Sequence, residues 1–166
     1  MTRHPALKPK PSTDSQPPAG RRARSGSGPW RFDLTGPRRR PSVLLVDDDD
    51  DVRALFAWCM RAAGWIVQEA ANGEQALLRA VGSEPDIIVL DLSMPEMDGF
   101  EMLRVLAQSS SLSFVPVVVC TACRGPEVDA ALEEAGCVAI VAKPCDADVL
   151  RDVVDSVLAR RCAGAP

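Results

Sequence analysis

The hydrophobic pattern of the chain changes at residue 42, after which apolar residues recur in two regular ways. Short, wholly apolar runs such as Val43–Val46 and Ile87–Leu90 are typical of strands buried on both faces of a sheet. Between such runs, apolar residues recur three and four positions apart, as in residues 52–63, which predicts helices with one buried face. Gly64 and Gly136 follow two of these segments and predict where the helices end. The pattern therefore predicts alternating strands and helices.

The predicted elements complete five β/α alternations within about 120 residues, an ordinary size for one domain. We expect strands at residues 43–46, 65–70, 86–90, 115–120 and 138–142, and helices at residues 52–63, 74–81, 100–107, 127–135 and 146–160. Apolar strands that alternate with amphipathic helices predict an α/β fold in which helices cover both faces of a parallel sheet. Right-handed crossovers leave few topologies, and we expect a five-stranded parallel sheet with the flavodoxin-like order 2-1-3-4-5.

Charge divides the chain at the same place as hydrophobicity. Residues 1–41 contain ten Lys and Arg but only two acidic residues, a net charge of +8, whereas the rest of the chain carries −12. Residues 1–41 are also rich in Pro, Ser and Gly, so we expect a disordered basic tail there, one folded domain at 42–162 and a short C-terminal tail at 163–166. The basic tail could bind nucleic acid. We favour a solvated tail, because composition alone supports binding, and we do not expect nucleic acid as a partner.

The apolar runs are far shorter than the ~18–20 residues that a membrane-spanning helix needs. The N-terminus also lacks an apolar segment of signal-peptide length, so we expect a cytoplasmic protein with no membrane partner. The chain has six cysteines, which we expect to be reduced. Cys120 and Cys123 have C-x-x-C spacing, but the further ligands of a zinc site are missing, so this motif is not expected to bind metal or act in redox chemistry.

Polar residues interrupt the apolar pattern where the predicted strands end. Asp47 and Asp48 follow the first strand, Asp91 the third, Thr121 the fourth and Lys143 the fifth. Strands 1 and 3 are expected neighbours, and ligands bind at the carboxyl ends of parallel strands, so the three carboxylates should converge. Such a cluster binds a cation or takes up protons, and its oxygen ligands suit Mg²⁺ or Mn²⁺ better than Zn²⁺. A carboxylate nucleophile beside a hydroxyl and an ammonium predicts Mg²⁺-dependent phosphoryl transfer.

Four segments at these strand ends together resemble the signature of response-regulator receiver domains. They are V-D-D-D-D-D-V-R at 46–53, D-L-S-M-P-E-M-D-G at 91–99, T-A at 121–122 and K-P at 143–144. They occur in the order typical of the family, and the resemblance covers about residues 42–160. It implies a stand-alone receiver domain of a two-component system. Such a domain is a signalling module that catalyses only its own phosphorylation and dephosphorylation.

The resemblance also implies a role for each residue of the site. Asp91 would be the phosphoacceptor and Mg²⁺ the cofactor. The implied Mg²⁺ ligands are Asp47, Asp48, Asp91 and the backbone carbonyl of Ser93, with Asp47 acting mainly through water. Thr121 would move toward the phosphoryl oxygens, and Lys143 would pair with them. The Lys143–Pro144 bond would be cis, and Gly99 would meet a backbone requirement of the loop after Asp91.

By the same resemblance, the phosphoryl group would come from a histidine kinase or a phosphotransfer protein. The face formed by helix 4, strand 5 and helix 5 would then change toward a separate downstream protein. Many receivers carry an aromatic residue in strand 5 and another after the Lys-Pro pair, but these positions are Ile140 and Cys145 here. We therefore expect either that Thr121 alone couples phosphorylation to that face or that the coupling is weak.

Two other functions stay open from the residues alone. Phosphatases of the haloacid-dehalogenase type use an Asp nucleophile followed two positions later by an Asp acid/base. Ser93 stands two positions after Asp91, which disfavours that mechanism, but Asp49 stands two positions after Asp47. The other alternative is a constitutive adaptor or DNA-binding regulator that acts through the basic tail. Salt-sensitive binding that is lost on deletion of residues 1–41 would identify it.

Overall fold

The structure, a computed structural model, describes residues 40–163, so most of the tails predicted at residues 1–41 and 163–166 lies outside the described residues. Strands and helices alternate as the sequence predicts. The strands are β1 Ser42–Val46, β2 Ile66–Ala70, β3 Ile87–Leu90, β4 Val117–Thr121 and β5 Ala139–Ala142, and the helices are α1 Asp50–Ala62, α2 Gly73–Ser83, α3 Gly99–Gln108, α4 Pro126–Glu134 and α5 Ala147–Ala163. Every helix within residues 40–163 is too short or too polar to traverse a lipid bilayer.

The five strands are parallel and lie in the order β2-β1-β3-β4-β5, which confirms the predicted fold class and topology. The chain leaves β1 for the edge strand β2 and then crosses back to β3, so β1 and β3 are neighbours in the sheet. Val46 and Leu90, the last residues of these two strands, are paired in register. This register brings the residues that follow β1 and β3 to the same edge of the sheet.

Two apolar layers hold the helices against the sheet, one layer on each face. Successive residues of a strand point to opposite faces, so Leu44 packs in the layer with α2, α3 and α4, whereas Leu45 packs in the layer with α1 and α5. Met102 of α3 and Met60 of α1 are fully buried in these layers. Burial of one such side chain stabilises the fold by about 1.5–3 kcal/mol, so the layers fix the strand ends that carry the polar residues.

Local hydrogen bonding moves several elements from their predicted bounds. β4 begins at Val117 and not at residue 115, because Pro116 has no N–H to donate to a strand ladder. β2 begins at Ile66, since the N–H of Trp65 donates to a carbonyl in the last turn of α1. The helical pattern is wrong for Leu55, which it places on the buried face of α1 but which is 53% exposed. The face of α1 that meets the sheet and α5 is narrower than the pattern suggests.

The five consecutive Asp residues, 47–51, have two different structural roles. Asp49 is the N-cap of α1, and its carboxylate accepts hydrogen bonds of 2.9 and 3.1 Å from two N–H groups in the first turn. Asp50 and Asp51 lie in that turn, where carboxylates interact favourably with the helix dipole. Asp49–Asp51 therefore form the start of α1. It leaves Asp47 and Asp48 at the end of β1.

Candidate functional site

Three carboxylates meet where β1 and β3 end. Asp47 and Asp48 directly follow β1, and Asp91 directly follows β3. One carboxylate oxygen from each residue lies within 4.8 Å of the other two. Asp47 and Asp91 are buried, with only 5% and 6% of their surface exposed, whereas Asp48 is exposed. The structure thus brings together the three acidic residues that the strand ends single out in the sequence.

Lys143 reaches this cluster from the end of β5 and binds both buried carboxylates. Its Nζ donates to Oδ2 of Asp47 at 2.6 Å and to Oδ2 of Asp91 at 2.7 Å. The Oδ1 atoms of the two carboxylates accept backbone N–H groups, from Asp49 at 3.1 Å and from Ser93 at 3.3 Å respectively. Each oxygen of the two buried carboxylates therefore has a hydrogen-bond donor, as buried polar atoms require, and their orientation is fixed.

Burial and ion pairing act in opposite directions on these groups. Burial raises the pKa of Asp47, although the hydrogen bond from Lys143 works against it. Burial also works to lower the pKa of Lys143, but the hydrogen bonds to Asp47 and Asp91 outweigh it and hold that pKa above its usual value. Lys143 therefore remains an ammonium at neutral pH. One positive charge faces three carboxylates, so the cluster attracts a further cation.

Asp48 is the carboxylate that a cation from solvent would meet first. It is exposed, and its side chain has no hydrogen bond or ion pair with another residue of the described range. Ser93, whose backbone carbonyl is a predicted metal ligand, lies two residues after Asp91 and is exposed as well. Mg²⁺ takes one or two carboxylates and keeps several waters, so it suits a partly open set of oxygen donors. The residues present therefore fit a Mg²⁺ ion.

Thr121 is the last residue of β4 and is fully buried. Its hydroxyl oxygen accepts the N–H of Cys123 at 3.1 Å, and its carbonyl oxygen accepts the N–H of Lys143 at 2.9 Å. The bond between Lys143 and Pro144 is cis, as the resemblance implies. The structure thus places Thr121 next to Lys143 through the backbone. That hydrogen bond uses the Thr121 hydroxyl as an acceptor, so its O–H remains available as a donor.

Gly99 keeps the loop that follows β3 close to the site. A Cβ atom at this position would lie 2.5 Å from the carbonyl oxygen of Asp91 and 2.7 Å from Cα of Leu92. The N–H of Gly99 donates to the carbonyl of Leu92 at 3.1 Å. Glycine is therefore required at position 99 because two backbone segments approach each other closely there. Any side chain would push the start of α3 away from Asp91.

Arg53 is a residue of the site that the sequence reasoning missed. Its guanidinium donates to the backbone carbonyl oxygen of Asp47 at 2.6 Å and also pairs with Asp50 and, at 3.7 Å, with Glu69. Only 13% of its side chain is exposed, so little water competes for these contacts. Arg53 therefore braces the backbone that carries Asp47 and Asp48. The signal in the sequence is its place as the last residue of the V-D-D-D-D-D-V-R segment.

Comparison of the sequence with known proteins identifies relatives among bacterial regulators. The family model for the response regulator receiver domain matches residues 43–155. The transcriptional regulatory protein AfsQ1 of Streptomyces coelicolor is 36% identical over 121 residues, which are 72% of this chain and 52% of that protein. The polar-differentiation response regulator DivK of Brucella anthropi is 29% identical over 117 residues, which are 70% of this chain and 95% of DivK. This chain therefore spans about half the length of AfsQ1 and nearly all of DivK.

Comparison with solved structures gives the same fold. The chemotaxis protein CheY4 of Vibrio cholerae superposes with a TM-score of 0.69 at 29% identity, over 72% of this chain and 99% of CheY4. The receiver domain of the Francisella response regulator 1452 superposes with a TM-score of 0.69 at 26% identity, over 74% of this chain and 99% of that domain. Sequence and structure thus point to one family.

Proposed function

We propose that this chain, which belongs to the response regulator receiver domain family, accepts a phosphoryl group on Asp91 and transmits a signal through the domain at 42–162. The observation that carries the proposal is the cluster in which Asp47, Asp48 and Asp91 lie within 4.8 Å of one another while Lys143 binds two of them. Members of this family are signalling modules and not conventional enzymes. The chemistry of the cluster supports the same role here.

In this proposal, the carboxylates of Asp47, Asp48 and Asp91 and the backbone carbonyl of Ser93 would hold Mg²⁺, with Asp47 acting mainly through water. When bound there, the ion would supply positive charge that offsets the negative charge of the phosphoryl oxygens and of the carboxylates. The support for this ligand set is the excess of negative charge around Lys143 and the exposure of Asp48 and Ser93 at the rim.

Different residues of the chain have different roles in the phosphoryl transfer. A carboxylate oxygen of Asp91 attacks phosphorus, and the bond between phosphorus and the donor atom breaks, with its electron pair leaving on the donor. The N–H of Ser93 holds Oδ1 of Asp91 at 3.3 Å and so orients the nucleophile. Lys143 releases Oδ2 of Asp91 and donates to a phosphoryl oxygen instead. Thr121 turns its hydroxyl from the N–H of Cys123 toward another phosphoryl oxygen.

The signal leaves the site through the strands that carry these two donors. Thr121 ends β4 and Lys143 follows β5, so their movement changes the face formed by α4, β5 and α5. Phosphorylation biases an equilibrium between two arrangements of that face, and a separate downstream protein binds one of them. Ile140 and Cys145 stand where other receivers have aromatic residues, so Thr121 carries the coupling without an aromatic partner. The donor is a histidine kinase or a phosphotransfer protein.

The phosphatase alternative receives no support from the site. It needs an acid/base carboxylate two positions after the nucleophile, but Asp49 is engaged as the N-cap of α1 and residue 93 is a serine. The alternative that uses the basic tail concerns residues outside the described range. It stays a prediction that salt-sensitive binding and deletion of residues 1–41 would test.

The proposal is tested by incubating the full chain with acetyl phosphate and Mg²⁺ and recording its intact mass. We expect one phosphoryl adduct, which disappears when EDTA replaces Mg²⁺ and in the variant Asp91→Asn. Asp51→Asn makes the same chemical change in an exposed Asp of the same acidic run and should keep the adduct. An unmodified mass for the folded wild-type protein, with beryllofluoride binding also absent, would overturn the proposal.

A further inference from the structure

Two thiols lie next to each other beside the site and have no part in the proposed phosphoryl transfer. Cys120 in β4 and Cys145, two residues after Lys143, are both free, and their Sγ atoms are 3.7 Å apart. Cys120 is 1% exposed, whereas Cys145 is half-buried. Both pack in the apolar layer that faces α1 and α5. Their separation is close to sulfur–sulfur contact, although 25 residues separate them in sequence.

We infer that Cys120 and Cys145 form a reversible disulfide when the protein meets a hydroperoxide, and that this disulfide slows phosphorylation of Asp91. The formation of the bond is independent of the proposed function. Its effect on Asp91 rests on that function. Nothing in the C-x-x-C spacing of Cys120 and Cys123 indicates this pairing, because the partner is brought in by the fold.

The oxidation takes place in two balanced steps. The thiol of Cys145, which is the more exposed of the pair, attacks an oxygen of hydrogen peroxide and becomes a sulfenic acid, and water leaves. The thiol of Cys120 then attacks the sulfur of that sulfenic acid, the S–S bond forms, and a second water leaves. The two thiols lose two electrons and two protons in total, and the peroxide takes them up. Burial raises the pKa of the Cys120 thiol and makes its thiolate scarce, which leaves the first oxidation to Cys145.

The geometry allows the bond to form with a small movement. The sulfurs must close from 3.7 Å to about 2.05 Å, the length of a disulfide bond. Cys120 is held within β4, between its neighbours β3 and β5. Cys145 lies between β5 and α5, outside both elements. The adjustment therefore falls on the short segment that also contains Lys143.

That adjustment acts on the two donors that phosphorylation requires. Cys120 immediately precedes Thr121, and Cys145 follows Lys143 by two residues. In the reduced protein, Lys143 binds Asp47 and Asp91 at 2.6 and 2.7 Å and must turn to a phosphoryl oxygen during transfer. A disulfide would tie the segment after Lys143 to β4 and restrict this turn. Loss of a group that supports a metal site typically lowers activity by about tenfold or more, and we expect a similar effect when Lys143 cannot reach the phosphoryl oxygen.

Disulfide formation is tested on the full chain with limited hydrogen peroxide, thiol blocking and tryptic mapping without reductant. Trypsin leaves Cys120 and Cys123 together in peptide 105–124, and it leaves Cys137 and Cys145 together in peptide 125–151, because the Lys143–Pro144 bond resists cleavage. The double variant Cys123→Ser/Cys137→Ser removes this ambiguity. We expect this variant to lose two hydrogen atoms in intact mass and to yield the two peptides joined. Dithiothreitol should reverse both changes, and Cys145→Ser should prevent them.

Phosphorylation is then measured on the same oxidised and reduced samples with acetyl phosphate and Mg²⁺. We expect the rate of adduct formation to fall about tenfold on oxidation and to recover with dithiothreitol, whereas Cys145→Ser is phosphorylated equally under both conditions. Failure of the two peptides to join, or a bond between Cys120 and Cys123, overturns the inference. A disulfide with an unchanged rate overturns its effect on Asp91. Absence of any adduct in the reduced protein contradicts the proposed function and leaves the disulfide result intact.

Discussion

The crowding of Asp47, Asp48 and Asp91 predicts that one acidic residue of the site destabilises the metal-free fold. We choose the substitution Asp48→Asn, because it removes a charge with almost no change in shape. Asp48 is exposed and has no hydrogen bond with another residue of the described range, so the variant loses no packing. What it loses is repulsion from two carboxylates whose oxygens lie within 4.8 Å. This repulsion is partly offset by Lys143, which binds both of those carboxylates. The variant should therefore unfold less readily without Mg²⁺.

The size of the effect follows from these charges and distances. Two unit charges at 4.8 Å repel by about 0.9 kcal/mol in a water-like dielectric, which suits an exposed group. Asp48 faces two negative charges and one positive charge, which is roughly one repulsive pair. We therefore expect Asp48→Asn to raise the free energy of unfolding by about 1 kcal/mol in EDTA. Mg²⁺ at about ten times its Kd should stabilise the wild type by about 1.4 kcal/mol and the variant far less, so the difference should vanish or reverse.

Urea unfolding in EDTA and in Mg²⁺ measures both differences, with fluorescence of the buried Trp65 as the signal. With a slope of about 2 kcal/mol per molar urea, the midpoint of Asp48→Asn should rise by about 0.5 M in EDTA. Asp51→Asn is the control, since it removes a similar charge from the first turn of α1 and should lower the midpoint slightly. A midpoint for Asp48→Asn at or below the wild type in EDTA would refute the reasoning. An equal rise in the urea midpoint of Asp51→Asn would show that the repulsion acts along the whole acidic run and not only at the site.

Two further substitutions test the backbone that supports the site. Gly99→Ala should lower the free energy of unfolding by about 1–3 kcal/mol, because its Cβ would lie 2.5 Å from the carbonyl oxygen of Asp91. Gly82→Ala in α2 is the control. Its Cβ would meet no atom within 4 Å, so it should be neutral or stabilising in the same urea titration. Arg53→Gln should weaken Mg²⁺ binding about tenfold in calorimetry, because it loses the contact with the carbonyl of Asp47, and an unchanged Mg²⁺ affinity would show that Arg53 has no supporting role.

The fold and the convergence of the acidic residues are predictable because they depend on patterns with a fixed period. Apolar runs alternate with amphipathic segments, and parallel strands place their carboxyl ends at one edge of the sheet. Once β1 and β3 are neighbours, Asp47 and Asp91 have to be close. The sequence therefore suffices to bring these groups together, without any knowledge of individual side-chain conformations.

Contacts that depend on side-chain conformation are not predictable in this way. Three contacts depend on rotamers and on the course of a short loop. They are the two hydrogen bonds of Lys143, the hydrogen bond from Arg53 to the carbonyl of Asp47, and the contact between Cys120 and Cys145. Sequence position identifies Gly99 as special, but only the structure shows which atoms a Cβ would meet. Helical periodicity likewise cannot give the width of a buried face, because neighbouring elements decide which flanking residues they cover.

The order of charges along the chain has a consequence for folding. The acidic residues of the site are complete at Asp91, whereas Lys143, their counter-charge, comes 52 residues later, after the last strand. A folding intermediate that pairs β1 with β3 before β5 has docked would hold the carboxylates together without Lys143, the cation that binds two of them. Docking of β5 is then favoured by electrostatic attraction as well as by burial of apolar surface. A divalent cation should therefore favour the pairing of β1 with β3, but it should weaken the attraction that draws Lys143 and β5 to the carboxylates.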